Sequence, residues 1–143
     1  MSAHQYVVGL AFNALGEKVV LMQKTHPEWQ AGKLNGIGGK VEEGETPLAA
    51  MQREFQEEAG VCLTAWSHFA TLQDKQAEIL LYRCFDDEAL TARSLTEEPV
   101  VILPVENRRI REDGIADLPR LVGLALDRTP SPVITLGTSY PCP

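Results

Sequence analysis

The stretch GKVEEGETPLAAMQREFQEEAGV, Gly39 to Val61, decides how this chain is read. It opens on a glycine turn and runs into a segment with helix punctuation. Thr46 offers an N-cap oxygen, and Pro47 suits the first helical turn. The pattern predicts a helix over Pro47–Ala59, stopped by Gly60. Within it, Leu48, Phe55 and Ala59 fall within about 40° of one another, with Met51 beside them, and form the expected core face. Glu54, Glu57 and Glu58 share another side, because positions i, i+3 and i+4 are neighbours on a helix. That side is expected to point to solvent or a cleft. Three crowded carboxylates repel one another, and a hard divalent cation that shares oxygen ligands with phosphates would compensate them.

Outward from the helix, Asn35–Gly39 (NGIGG) is too rich in glycine for a regular helix. Before it, Gln5–Phe12 and Lys18–Gln23 read as two strands of a hairpin around a turn at 13–17. Thr25–Leu34 reads as a polar loop. After the helix, Trp66–Leu72 and Ala77–Phe85 read as strands around the turn 73–76, and 86–96 is mostly polar. Val100–Val105 is a strand that Pro104 assigns to an edge. Asp117–Leu126 has helical spacing at Leu118, Leu121, Val122 and Leu126, with Asp117 as the expected cap. Residues 1–127 are expected to form one domain, and 128–143 an extended, proline-rich tail, open to docking on the domain or on a second copy. A sheet with segregated helices indicates an α+β fold.

Composition narrows the function classes. A chain of 143 residues, 44% hydrophobic and 23% charged, suits one globular domain with a core of its own. The net charge of −7 disfavours nucleic-acid polymers and anionic membranes as partners. It leaves small phosphorylated ligands open, since a bound cation inverts the local sign. Three cysteines without a CxxC spacing argue against a zinc site and fit a reducing, cytoplasmic compartment. Cys62 and Cys84 lie in or beside apolar segments and are expected to pack. No apolar run approaches transmembrane length.

Gly39, Glu45, Arg53-Glu54-Phe55, Glu57-Glu58 and Gly60-Val61, in this spacing, resemble an intact Nudix box. The resemblance implies an α/β/α sandwich, a mixed β-sheet flanked by helices. It implies metal-dependent hydrolysis of a nucleoside diphosphate linked to a further group. By the same resemblance, Glu54, Glu57, Glu58 and the Gly38 carbonyl would hold Mg²⁺ or Mn²⁺. Arg53 would orient the carboxylates, Glu45 would brace the loop against the helix, and Lys40 would meet a phosphate. The proton acceptor would be a box glutamate or an acidic residue on a later loop, where Glu97 and Glu98 stand.

Each assignment has a plainer counterpart. A glutamate-rich helix face is often solvated surface, but the glycines and Arg53 in register favour the metal reading here. Asn35 resembles an asparagine that reaches the base in family members acting on oxidised purine nucleotides, while Asn-Gly is also ordinary turn chemistry. Trp29 and Trp66 are open to base stacking and to core packing. His26 reads as surface. The NGIGGK turn resembles the MutT-type group, which converts nucleoside triphosphates to monophosphates and pyrophosphate. Other hydrolases of the family, acting on ADP-ribose or dinucleoside polyphosphates, are rivals, as is a non-catalytic nucleotide-binding module. Oligomeric state, monomer or homodimer, is open.

Overall fold

In the computed structural model, the described residues are 4–73, 75–128 and 133–137, with only the backbone described for 134–137. Strand β1 (His4–Phe12) leads through a tight turn to β2 (Lys18–Gln23). The Asn13 side chain closes that turn, its Oδ1 accepting from the Glu17 and Lys18 amides at 2.8 and 2.9 Å. Two short strands follow, β3 (Leu34–Asn35) and β4 (Ile37–Lys40). Helix α1 (Pro47–Ala59) precedes β5 (Ser67–Gln73) and β6 (Ala77–Phe85). Then come β7 (Val100–Pro104), the single turn α2 (Arg109–Glu112), α3 (Leu118–Leu126) and β8 (Ile134–Gly137).

The strands form one mixed sheet in the order β3-β2-β1-β6-β5-β8, with β4 beside β1 and β7 beside β2. Strand β1 lies at its centre and pairs in parallel with β6 along its whole length. On its other edge it pairs with β2 near Ala11 and Phe12, but with β4 from Tyr6 to Gly9. The sheet therefore changes partner along β1, and the chain makes the step at Gly36.

Period-two alternation divides the core between the two faces. Val7, Ala11, Val20 and Met22 pack toward Met51 and Phe55 of α1. Leu10, Phe12, Val19 and Leu21 pack toward Leu118, Leu121 and Val122 of α3. Burying each large apolar side chain stabilises the fold by about 1.5–3 kcal/mol. The result is the expected α/β/α sandwich. No helix among the described residues is long and apolar enough to cross a membrane.

Helix α1 has the predicted bounds. Thr46 Oγ1 accepts from the Ala49 amide at 3.1 Å, and Gly60 ends the helix at φ 77°. Its faces differ from the expectation. Leu48 is 40% exposed, while Ala50, Met51, Phe55 and Ala59 are buried. At about 100° per residue, Glu54 and Glu58 project between the directions of Ala50 and Met51. Two of the three carboxylates thus lie inside the sector that faces the protein, and Leu48, in the first turn, is left exposed.

Other expectations are corrected. The polar loop holds a 3-10 turn at Glu28–Gln30, and a second one spans Asp87–Thr91. Asp117 precedes α3 without a capping hydrogen bond from its side chain. Cys62 is exposed rather than packed, whereas Cys84 is buried, and burial pushes its thiol up to about 11. Trp66 is core: it meets Phe55 edge-on at 5.4 Å, and its Nε1 donates to the Leu63 carbonyl. Within the region read as a tail, Ile134–Gly137 form a strand parallel to β5, and the remainder, with Cys142, lies outside the described residues.

Candidate active site

A cavity of about 260 Å³ opens beside the step from β3 to β4. Its apolar lining includes Val8, Ile79, Leu81, Ile115 and Leu121. Its polar lining is drawn from Lys24, Gln30, Asn35, Lys40, Glu58 and Glu98, with the backbone of Gly38 and Gly39. Trp29 lines the wall, and His26, though exposed, lies at the same cavity.

The glycines of β4 are required by close approach. A Cβ on Gly38 would collide with the Val7 carbonyl of the neighbouring strand. A Cβ on Gly39 would stand 2.5 Å from Glu54 Oε1. Bare backbone at Gly39 lets α1 press the Glu54 carboxylate against β4.

Arg53 organises that face. Its Nε donates to Glu45 Oε2 at 2.7 Å and its Nη2 to Glu45 Oε1 at 3.0 Å. Nη1 donates to Glu54 Oε1 at 2.9 Å and to Glu57 Oε2 at 3.3 Å, and Nη2 also reaches the Lys40 carbonyl. Glu45 closes the loop as well, accepting from the Glu42 amide at 3.0 Å. The Arg53 side chain, helped by the Glu42 amide, holds the Glu45 carboxyl down at about 2. Glu45 in turn, outweighing burial, raises the Arg53 guanidinium above its ordinary range.

The three helix carboxylates divide. Glu57 is 60% exposed, on the outer side of Arg53, while Glu54 is 15% exposed. Glu58 turns into the cavity, and its Oε2 is buried with no hydrogen-bond partner among the described residues. Burial first, and then the adjoining Glu54 carboxylate, push the Glu58 carboxyl up to about 8. Among the described residues no three acidic, histidine or cysteine side chains form a closed cation cage. An orphaned buried oxygen beside a second carboxylate, on a wall of bare glycine backbone, nevertheless fits a hard divalent cation. Mg²⁺ characteristically takes one or two carboxylates and completes its shell with water and substrate phosphate.

Glu98 lines the same cavity and is buried, 4% exposed. Its Oε1 accepts from Lys24 Nζ at 2.9 Å, and its Oε2 from the Thr25 and His26 amides at 2.6 and 3.3 Å. Burial alone would raise this carboxyl, but the Thr25 amide and the Lys24 ammonium outweigh it and hold Glu98 below its ordinary range. Glu97 is exposed. Sequence reading missed Lys24 and Gln30, because neither has a motif and each gains its meaning from a partner that folding brings to it.

Comparison with known proteins adds three findings. The NUDIX domain model matches residues 3–110. The 8-oxo-dGTP diphosphatase of Escherichia coli (strain K12) is 37% identical over 73 residues, which cover 51% of this chain and 56% of that protein, so the match spans little more than half of the relative. Among solved structures, a MutT from work on Aliivibrio salmonicida and Vibrio cholerae has a TM-score of 0.68 at 20% identity, covering 87% of this chain and 98% of the other. A MutT NUDIX hydrolase from Burkholderia pseudomallei has a TM-score of 0.70 at 13% identity, again covering 87% and 98%. At these identities the two structures speak for the fold alone.

Proposed function

The chain belongs to the Nudix family, and from that premise we propose that it hydrolyses a nucleoside triphosphate, ribo or deoxy, to the monophosphate and pyrophosphate, with a divalent cation. The observation that carries this reading is Glu58: a carboxylate turned into the cavity against Glu54, with an unpartnered buried oxygen. A fold meets the cost of such a pair when a cation and a phosphate complete it. The matched relative's name points to 8-oxo-dGTP as the first substrate to try.

In this reading Glu54, Glu58 and the Gly38 carbonyl hold Mg²⁺ or Mn²⁺, with Glu57 available from the outer side. When bound, the cation neutralises phosphate oxygens and eases departure of the pyrophosphate. Arg53 fixes the carboxylates through charge-assisted hydrogen bonds and does not touch substrate. Lys40 and the Gly39 backbone meet the phosphates, and Asn35 and Trp29 take the base. A water oxygen attacks phosphorus, the bond to the leaving pyrophosphate breaks, and the water gives its proton to Glu98. Glu98 lines the cavity, and among the described residues its Oε1 accepts only from Lys24, which leaves it a second acceptor site for that proton. Positioning and electrostatics supply most of the rate.

The test is a panel of canonical and oxidised nucleoside triphosphates, ADP-ribose and diadenosine polyphosphates, with Mg²⁺, Mn²⁺ or chelator. Cation-dependent release of a monophosphate and pyrophosphate from a triphosphate is expected. Cleavage of ADP-ribose or a dinucleotide alone would overturn the substrate class. Tight nucleotide binding without cleavage would replace the enzyme with a binding module.

A further inference from the structure

Gln30 has no place in the machinery above, yet it is buried, 5% exposed, and lines the cavity. It sits at the end of the 3-10 turn Glu28–Gln30, beside Trp29. Its Oε1 accepts from Asn35 Nδ2 at 3.0 Å. Asn35 is fixed from its other end, where its Oδ1 accepts from the Gly36 amide at 2.7 Å.

These two bonds determine both amide orientations. A backbone N–H can only donate, so the atom that Gly36 meets is the Asn35 oxygen. The other end of Asn35 is then its nitrogen, and the atom that this nitrogen meets on Gln30 is an oxygen. Neither amide can flip without setting two donors or two acceptors face to face. What remains is one hydrogen on Asn35 Nδ2 and both hydrogens on Gln30 Nε2. None of the three has a partner among the described residues. The pair therefore offers the cavity a set of donors.

We infer that Gln30, locked to Asn35, is a specificity-determining residue that selects a base with a carbonyl at C6, a 6-oxopurine, over a 6-aminopurine. The C6 oxygen accepts from these donors. A 6-amino group brings its own hydrogens against them and leaves both sides unsatisfied, which is how a polar site rejects a near-isostere. Guanine, hypoxanthine and 8-oxoguanine share the C6 carbonyl, and adenine lacks it. The inference rests on the proposed nucleotide site, but it concerns base binding and not turnover.

The test is therefore calorimetric binding of nucleoside monophosphates, with no cleavage required. Inosine and adenosine monophosphates are the probes, since they differ around C6. The wild-type protein is expected to bind inosine monophosphate about tenfold more tightly, the equivalent of one net hydrogen bond. Gln30→Glu keeps an oxygen to accept from Asn35 but replaces the donors with an acceptor, and is expected to abolish or reverse the preference. Gln30→Met, uncharged and similar in length, is expected to abolish it without reversal, which covers the case of a Glu variant that fails to fold. Equal wild-type affinities, no binding of either probe at millimolar concentration, or an unchanged ratio in a folded variant would overturn the inference. A protein that hydrolyses nothing yet shows the preference would sink the enzymatic reading and leave this one standing.

Discussion

Arg53 and Glu45 meet as a two-bond fork, Nε to Oε2 at 2.7 Å and Nη2 to Oε1 at 3.0 Å, joining the middle of α1 to the loop before it. The same guanidinium holds Glu54 through Nη1. One planar group thus fixes both the loop and a carboxylate of the site. A lysine cannot reproduce this, because a single ammonium has no fork. Arg53→Lys is expected to fold and to lose activity by about tenfold to a hundredfold, as the loss of a carboxylate-orienting partner does. Wild-type turnover in that variant would contradict the role.

The fork also predicts a pH dependence. The Glu45 carboxyl is held at about 2, below its ordinary 4.5. A depressed carboxyl contributes stability that is fully present above 4.5 and is lost as pH falls through about 2. Melting curves between pH 6 and pH 2.5 are expected to show a falling midpoint, and Glu45→Gln a shallower fall. Equal slopes would remove Glu45 from the acid transition.

Two adjacent glycines should respond differently to one methyl group. Gly38→Ala drives a Cβ into the Val7 carbonyl of the central strand. It is expected to cost about 3 kcal/mol or more, or to prevent folding. Gly39→Ala meets the Glu54 carboxylate, the end of a side chain. It is expected to fold with a smaller loss and to weaken cation binding by displacing Glu54. Chemical denaturation and Mn²⁺ titration of both variants separate the two, and a similar stability loss in each would contradict the distinction.

Glu98→Gln tests the proton acceptor. The amide can still accept from Thr25 and His26, so the loop keeps most of its anchoring. Lys24 loses its counter-charge, at an expected cost of about 1–3 kcal/mol. With the general base removed, kcat is expected to fall about a hundredfold or more. A raised KM with unchanged kcat would assign Glu98 to the loop alone.

Local features were legible in the sequence because their causes are local. Thr46, Pro47 and Gly60 set the bounds of α1, and the apolar runs at Gln5–Phe12 and Lys18–Gln23 marked β1 and β2, whose division between two faces of the sheet became visible only in the structure. The orientation of α1 was not legible. Leu48 looked like core by periodicity, but the buried face of α1 is centred on Ala50, Met51, Phe55 and Ala59 and leaves Leu48 exposed. The close approach of Glu54 depends on Gly39 having no side chain, and Gly38 must be bare to lie against Val7 of β1, requirements set by strand pairing and helix packing. Strand β8 was missed because its partner, β5, lies far back along the chain. Gln30 and Lys24 carry no motif, and their roles exist only through Asn35 and Glu98.

The most direct measurement compares wild type with Glu58→Gln on one nucleoside triphosphate, with and without Mg²⁺, resolving products by chromatography and following stability by thermal melting. Burial and the adjoining Glu54 carboxylate raise the Glu58 carboxyl and so favour its neutral form without a cation, and a glutamine matches that form in shape. The variant is therefore expected to melt within about 1 kcal/mol of wild type. Wild type is expected to release monophosphate and pyrophosphate only when Mg²⁺ is present, and Glu58→Gln to run at least about a hundredfold more slowly. A folded Glu58→Gln that turns over at the wild-type rate, or wild-type cleavage that survives chelation, would contradict the account.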